Sequence, residues 1–273
     1  MSARQLFSTQ EPRSAALRDP VEQDAAWSPL YRVGGWSAVV MLALIAVQMA
    51  VFFIWPIPGS VEAWFARFNE SWLVGLLSMD LLLVVDWVLT LLVFLALVAV
   101  VRRDHPAWLT IAVTFELVAA ATYFASNGAF ELLGLSARFA SATTDAERAL
   151  LLAAGEAVVA AWEGTAFVVA TILSAVAILV LSSVLLRTRA LGRTIPLLGI
   201  VMGIAAIVPP NAGAVGLVFS LVYLLPFVVW LVLVARALLR LTSVLQSTAD
   251  QRLRGLASGP YVRQEKTLGS TRG

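Results

Sequence analysis

Five carboxylates sit within or beside otherwise apolar stretches: Asp80, Asp86, Glu116, Glu156 and Glu163. Asp80 and Asp86 interrupt Trp72–Val101, thirty residues without Lys or Arg that are closed by Arg102-Arg103-Asp104-His105-Pro106. A carboxylate at mid-helix costs about 2.5–3.5 kcal/mol to insert in a membrane, so such a group marks a site or finds a partner. An acid so placed binds a proton or a cation, or hydrogen-bonds a polar ligand while neutral. The plainer use is a hydrogen bond to a neighbouring helix. Asp80, Glu156 and Glu163 suit that plainer role, or contact with interfacial water, better than Asp86 and Glu116 do.

Other chemistry is missing from the residue inventory. There is no cysteine and only one histidine, His105, beside a proline in a charged turn. Disulfides, thiol catalysis and histidine-based metal or proton relays therefore drop out. No Gly-x-Ser-Gly pairs with a histidine inside a span, no Gly-x-Gly-Asp is present, and neither a phosphate loop nor a dinucleotide fingerprint appears. The expectation is no catalytic residue, no metal and no cofactor.

The elements that carry the acids must be membrane spans. The chain has 273 residues, of which 60% are hydrophobic and 13% charged, against roughly half and a quarter in a soluble domain. A helix needs about 20 residues to cross about 30 Å of hydrocarbon. Hydropathy predicts an all-α, polytopic six-helix transmembrane bundle, with spans at about 34–55, 74–101, 107–130, 164–186, 195–208 and 215–235. Thr144-x-x-Glu147 has the capping-box pattern and opens an amphipathic helix over 145–163 on the outer surface. Residues 131–144 read as a loop. Residues 1–31 read as a disordered cytoplasmic tail, 32–240 as the membrane domain, and 241–273 as a cytoplasmic amphipathic helix with its tail.

Arginine placement orients these spans. Six spans with the N-terminus inside put Arg18, Arg32, Arg102, Arg103, Arg187, Arg189, Arg193, Arg236, Arg240, Arg252 and Arg254 in the cytoplasm, and only Arg67, Arg138 and Arg148 outside. Positive charge gathers on the cytoplasmic side, so both termini are expected there. The pI of about 9.4 reflects this placement and does not point to nucleic acid.

Depth follows from counting along each span. Glu116 lies ~13 Å in from the cytoplasmic end of its helix and Asp86 ~22 Å, while Asp80 lies ~31 Å in, at the outer edge. Glu163 and Glu156 lie at the outer edge and beyond it. No basic residue shares the depth of Asp86 and Glu116. They are therefore expected to line an outward-opening polar pocket for a proton, a cation or a small polar ligand, with Asp80, Glu156 and Glu163 as its outer vestibule. Asp80 and Asp86 are six residues apart and would lie about 120° apart on a continuous helix. Gln48 and Asn127 are expected to bridge helices. Gly199-x-x-x-Gly203 is a close-packing motif, and the Pro209-Pro210 break reads as a turn between antiparallel helices.

Phe115-Glu116-Leu117-Val118, Leu185-Leu186-Arg187-Thr188-Arg189 and the stretch Arg193-Thr194-Ile195-Pro196-Leu197-Leu198-Gly199-Ile200-Val201-Met202-Gly203 carry a likeness. Over about residues 30–240 the chain resembles the bacterial integral membrane family called domain of unknown function 4386. The resemblance implies a six-helix membrane architecture and no catalytic residue, and no ligand or partner is carried over from it. Residue chemistry and resemblance together give three readings for a protein of the bacterial cytoplasmic membrane. It is a small transport or ligand-binding bundle using Asp86 and Glu116, or a non-catalytic accessory or scaffolding protein, and behind both of these an intramembrane enzyme.

Overall fold

The computed structural model describes residues 26–257, and among these every regular element is a helix. Residues 1–25 of the tail expected over 1–31, and residues 258–273 of the segment expected over 241–273, lie outside the described residues, while helix already begins at Ser28. In chain order the helices are α1 (Ser28–Ile54), α2 (Val61–Glu70), α3 (Trp72–Ser78), α4 (Leu81–Val100), α5 (Pro106–Ser126), α6 (Ala129–Ser141), α7 (Asp145–Trp162), α8 (Thr165–Thr188), α9 (Thr194–Ala205) and α10 (Gly213–Ala257). Five helical stretches are long and apolar enough to cross a membrane: α1, α4, Pro106–Ser141, Asp145–Thr188 and Gly213–Thr248. At 12 residues, α9 is apolar but only about 18 Å long.

Capping side chains start three of the helices, α2, α3 and α7. Thr144 Oγ1 accepts from the Glu147 N–H at 3.2 Å, while Glu147 reaches back to the Thr143 N–H. Ser60 and Ser71 cap α2 and α3 in the same way. The expected loop over 131–144 is instead mostly α6, and α2 is a further helix that hydropathy passes over. Both are short and amphipathic. Each is held by what its apolar stripe touches rather than by length.

The six long or apolar helices pack as a closed ring, each chiefly against its two neighbours, in the order α1–α4–α5–α8–α9–α10 and back to α1. One end of the ring carries the arginine-rich turns. There Tyr31, Val101, Leu109, Leu185, Ile195 and Leu238 belong to a single buried cluster that seals the interior. Arg102 donates to the Ala99 carbonyl and the Tyr31 hydroxyl, and its guanidinium lies 5.2 Å from the Trp27 ring centroid. At the other end α2, α3, α6 and α7 form a cap around a second cluster that includes Trp64, Phe65, Phe68, Met79, Leu132 and Trp162. On the ring exterior large apolar side chains point outward, Phe53 being 89% exposed. That suits hydrocarbon as the surrounding solvent.

The Gly199-x-x-x-Gly203 face of α9 lies against α8. A Cβ at Gly199 would collide with the Ser182 hydroxyl, and one at Gly203 would stand 3.1 Å from the Ala175 carbonyl. The motif therefore serves packing inside the bundle.

Candidate functional site

The helix expected over 74–101 is interrupted, and the interruption shapes the site. Met79 ends α3, Asp80 adopts a left-handed backbone (φ 62°), and α4 begins at Leu81. Aspartate is among the few residues that tolerate this region. The break frees backbone carbonyls that a bilayer interior cannot hydrate. Gln48 on α1 donates to the Leu77 carbonyl at 3.3 Å, and Asn127 donates to the Met79 carbonyl at 3.1 Å. Asn127 Oδ1 also accepts from the Ala129 N–H. The two amides do bridge elements, and what they bridge is the exposed backbone of this break.

The break also changes how the two aspartates relate. Because Asp80 stands outside the regular helix, the angular count between positions 80 and 86 no longer applies. Both line one cavity of about 180 Å³ between α1, α4 and α10. Asp80 accepts a hydrogen bond from the Trp162 indole, which ties it to the cap. Asp86 is 9% exposed, and its Oδ1 is buried without a hydrogen-bond partner.

Glu116 is the deepest acid in the bundle, 1% exposed. It projects from α5 towards α8, where the Ser174 hydroxyl donates to its Oε2 at 2.9 Å; its Oε1 is buried without a partner. Glu116 and Ser174 line a second, larger cavity of about 620 Å³ to which all six ring helices contribute. A pocket of about 300–1,000 Å³ suits a small organic ligand. The two cavities share Met49, Leu83, Tyr223, Leu224 and Phe227 as walls, so they adjoin. Tyr223 is within electrostatic reach of both Asp86 and Glu116, and Tyr123 of both Asp80 and Asp86.

The single polar pocket expected from the sequence is thus two adjoining chambers, and their walls are chiefly apolar and aromatic. Trp87 stacks on Tyr123 with centroids 5.0 Å apart, and Tyr223, Phe227 and Trp230 follow one another down one face of α10. Spacing alone announces that face, since positions i, i+4 and i+7 align on a helix. Glu116 and Tyr123, seven apart on α5, carry the same signal. Ser174 carries none, because its role depends on a residue 58 positions away. The turn after α9 closes the chamber with Ala206, Val208 and Pro210, and Asn211 anchors it by donating to the Glu163 carbonyl at 2.6 Å.

The outer acids divide. Asp80 belongs to the smaller chamber. Glu163 ends α7 with an exposed side chain within electrostatic reach of Asp80, and Glu156 is exposed on α7 and lines neither chamber. Among the described residues no group of three His, Cys, Asp or Glu side chains is arranged to hold a metal ion. The chain matches no protein-family model, no curated protein and no solved structure.

Proposed function

We propose that this chain is a six-span protein of a bacterial cytoplasmic membrane, with both termini inside, whose helix ring binds and moves a small ligand or cation at Glu116 and Asp86. The observation that carries the proposal is the ring cavity, into whose wall a fully buried carboxylate with one unpartnered oxygen is built. Burying such a group is costly, and the cost is offset when a ligand or proton completes it. The six-span count treats α9 as a crossing. In support, Asn211 just beyond α9 bonds to Glu163 just before α8, so α9 returns the chain along α8 to the capped end. The arginine-rich end is then the cytoplasmic one.

The test is reconstitution into liposomes. Glu116→Gln and Asp86→Asn should each abolish or sharply reduce proton or cation flux, or ligand retention, that the parent protein shows. A second reading, an accessory or scaffolding protein, draws on α10, whose 45 residues run well beyond the length of a span. A parent protein that neither binds nor moves anything across a broad cation and metabolite panel would favour that reading.

A further inference from the structure

The chemistry of the cavity narrows what it accepts. A sugar or an amino acid needs many hydrogen-bond partners, and beyond Glu116 the larger chamber offers few: the unpartnered Tyr123 hydroxyl and Trp230 indole N–H, and the hydroxyls of Thr90, Thr171, Ser174, Ser220 and Tyr223. Ser174 and Ser220 are already committed, to Glu116 and to the Gly216 carbonyl. A multivalent metal ion needs several oxygen ligands around one point, and the carboxylates are not grouped that way. What the walls supply instead is aromatic surface, with Trp87, Tyr123, Phe167, Tyr223, Phe227 and Trp230 lining the same chamber as one carboxylate. Aromatic faces and a single negative charge favour a positive charge on an apolar body.

The way in has matching chemistry. Met49 on α1 and Leu217 and Leu221 on α10 line the chamber and are also 46%, 61% and 60% exposed on the ring exterior. At these residues the chamber wall reaches the ring exterior, on the outer halves of α1 and α10. Of the five candidate spans, α10 is also the least buried. An apolar ligand dissolved in the bilayer meets this part of the wall without crossing water.

We infer that the ring cavity is a site for a lipophilic organic cation, one positive charge on an apolar body, which pairs with the free oxygen of Glu116 and reaches Asp86 across the walls that the two chambers share. The inference rests on the reading that Glu116 and Asp86 form a ligand site and specifies the ligand class. Oε1 of Glu116 contacts the charge, while Ser174 holds Oε2 and fixes the orientation of the carboxylate. Asp86 is a second seat for the same charge, and Tyr223 lies in the field of both.

The experiment uses the full chain in lipid nanodiscs with tetraphenylphosphonium as probe and tetraphenylborate, nearly the same shape with the opposite charge, as control. Equilibrium dialysis should give saturable binding of one phosphonium per chain and no saturable binding of the borate. Glu116→Gln should weaken phosphonium binding at least tenfold. Ser174→Ala should weaken it several-fold, and Glu156→Gln, on a residue outside both chambers, should leave it unchanged. Thermal unfolding of each variant separates lost binding from lost fold. Equal uptake of both ions, or phosphonium binding that survives in a folded Glu116→Gln variant, overturns the inference. If the phosphonium does not bind while Glu116→Gln still abolishes proton or inorganic cation flux in liposomes, the ligand class is wrong and the site stands; loss of both removes the site as well.

Discussion

Ser174 and Glu116 meet across α8 and α5, the most extensively packed helix pair in the bundle, and their 2.9 Å hydrogen bond occupies one carboxyl oxygen while the other stays unpartnered. The pair therefore joins two helices within the wall of the cavity. Ser174→Ala removes the donor and leaves a fully buried carboxyl with no bond to protein. It is expected to lower stability by about 1–3 kcal/mol, read as an earlier loss of helicity on heating in detergent. A Ser174→Ala protein as stable as the parent would show that the bond contributes nothing to packing.

The break at Asp80 gives a graded prediction. Asn127 serves two backbone groups, the Met79 carbonyl and the Ala129 N–H, whereas Gln48 donates to the Leu77 carbonyl and leaves its own Oε1 buried and unpartnered. Asn127→Leu should therefore be the costlier change, about 1–2 kcal/mol, and Gln48→Leu about 0.6 kcal/mol or less, in keeping with polar contacts between helices in membranes. Chemical unfolding in mixed micelles ranks the two. The reverse order would mean that the carbonyls of the break are satisfied in some other way.

Asp80 itself supports the break twice, by tolerating a left-handed backbone and by accepting from the Trp162 indole. Asp80→Ala loses both and should destabilise the cap by about 1–3 kcal/mol. Asp80→Asn keeps the left-handed tolerance and an acceptor oxygen, and should fall between Ala and the parent. Indole fluorescence of Trp162, in a background where the other tryptophans are replaced, reports on the contact directly.

At Gly199 the packing leaves no room for a methyl group, whereas at Gly134, on α6, an added Cβ meets nothing within 4 Å. Gly199→Ala should cost about 1–3 kcal/mol through overpacking, since the Ser182 side chain must shift. Gly134→Ala should be neutral or slightly stabilising, a helix interior favouring alanine by roughly 0.5–1 kcal/mol. Thermal unfolding of the pair, measured side by side, checks the contrast.

The proposed orientation is open to a labelling test, made simple by the absence of cysteine. In right-side-out vesicles a membrane-impermeant thiol reagent should label Glu163→Cys at once and Arg189→Cys only after the membrane is opened. The opposite pattern would reverse the topology while leaving the ring intact.

Much of the architecture was legible in residue order because the signals are local. Apolar runs, a capping threonine and proline-glycine breaks act within a few residues, so α5, α7 and α8 lie close to their expected bounds, α1 ends where expected but starts six residues early, and lipid as the solvent follows from composition. Asp86 and Glu116 stood out for the same reason, as costly groups in apolar surroundings. Only tertiary structure decided the rest. The break at Asp80 persists because Gln48 and Asn127, distant in sequence, satisfy the carbonyls it frees. The helices α2 and α6 persist because each buries an apolar stripe against the other within the cap. Ring closure of α10 on α1, which completes the cavity and brings the aromatic face of α10 into the chamber that Glu116 lines, joins the two extremes of the membrane domain. Contacts between segments that far apart carry no periodicity, and they exist only once the chain has folded.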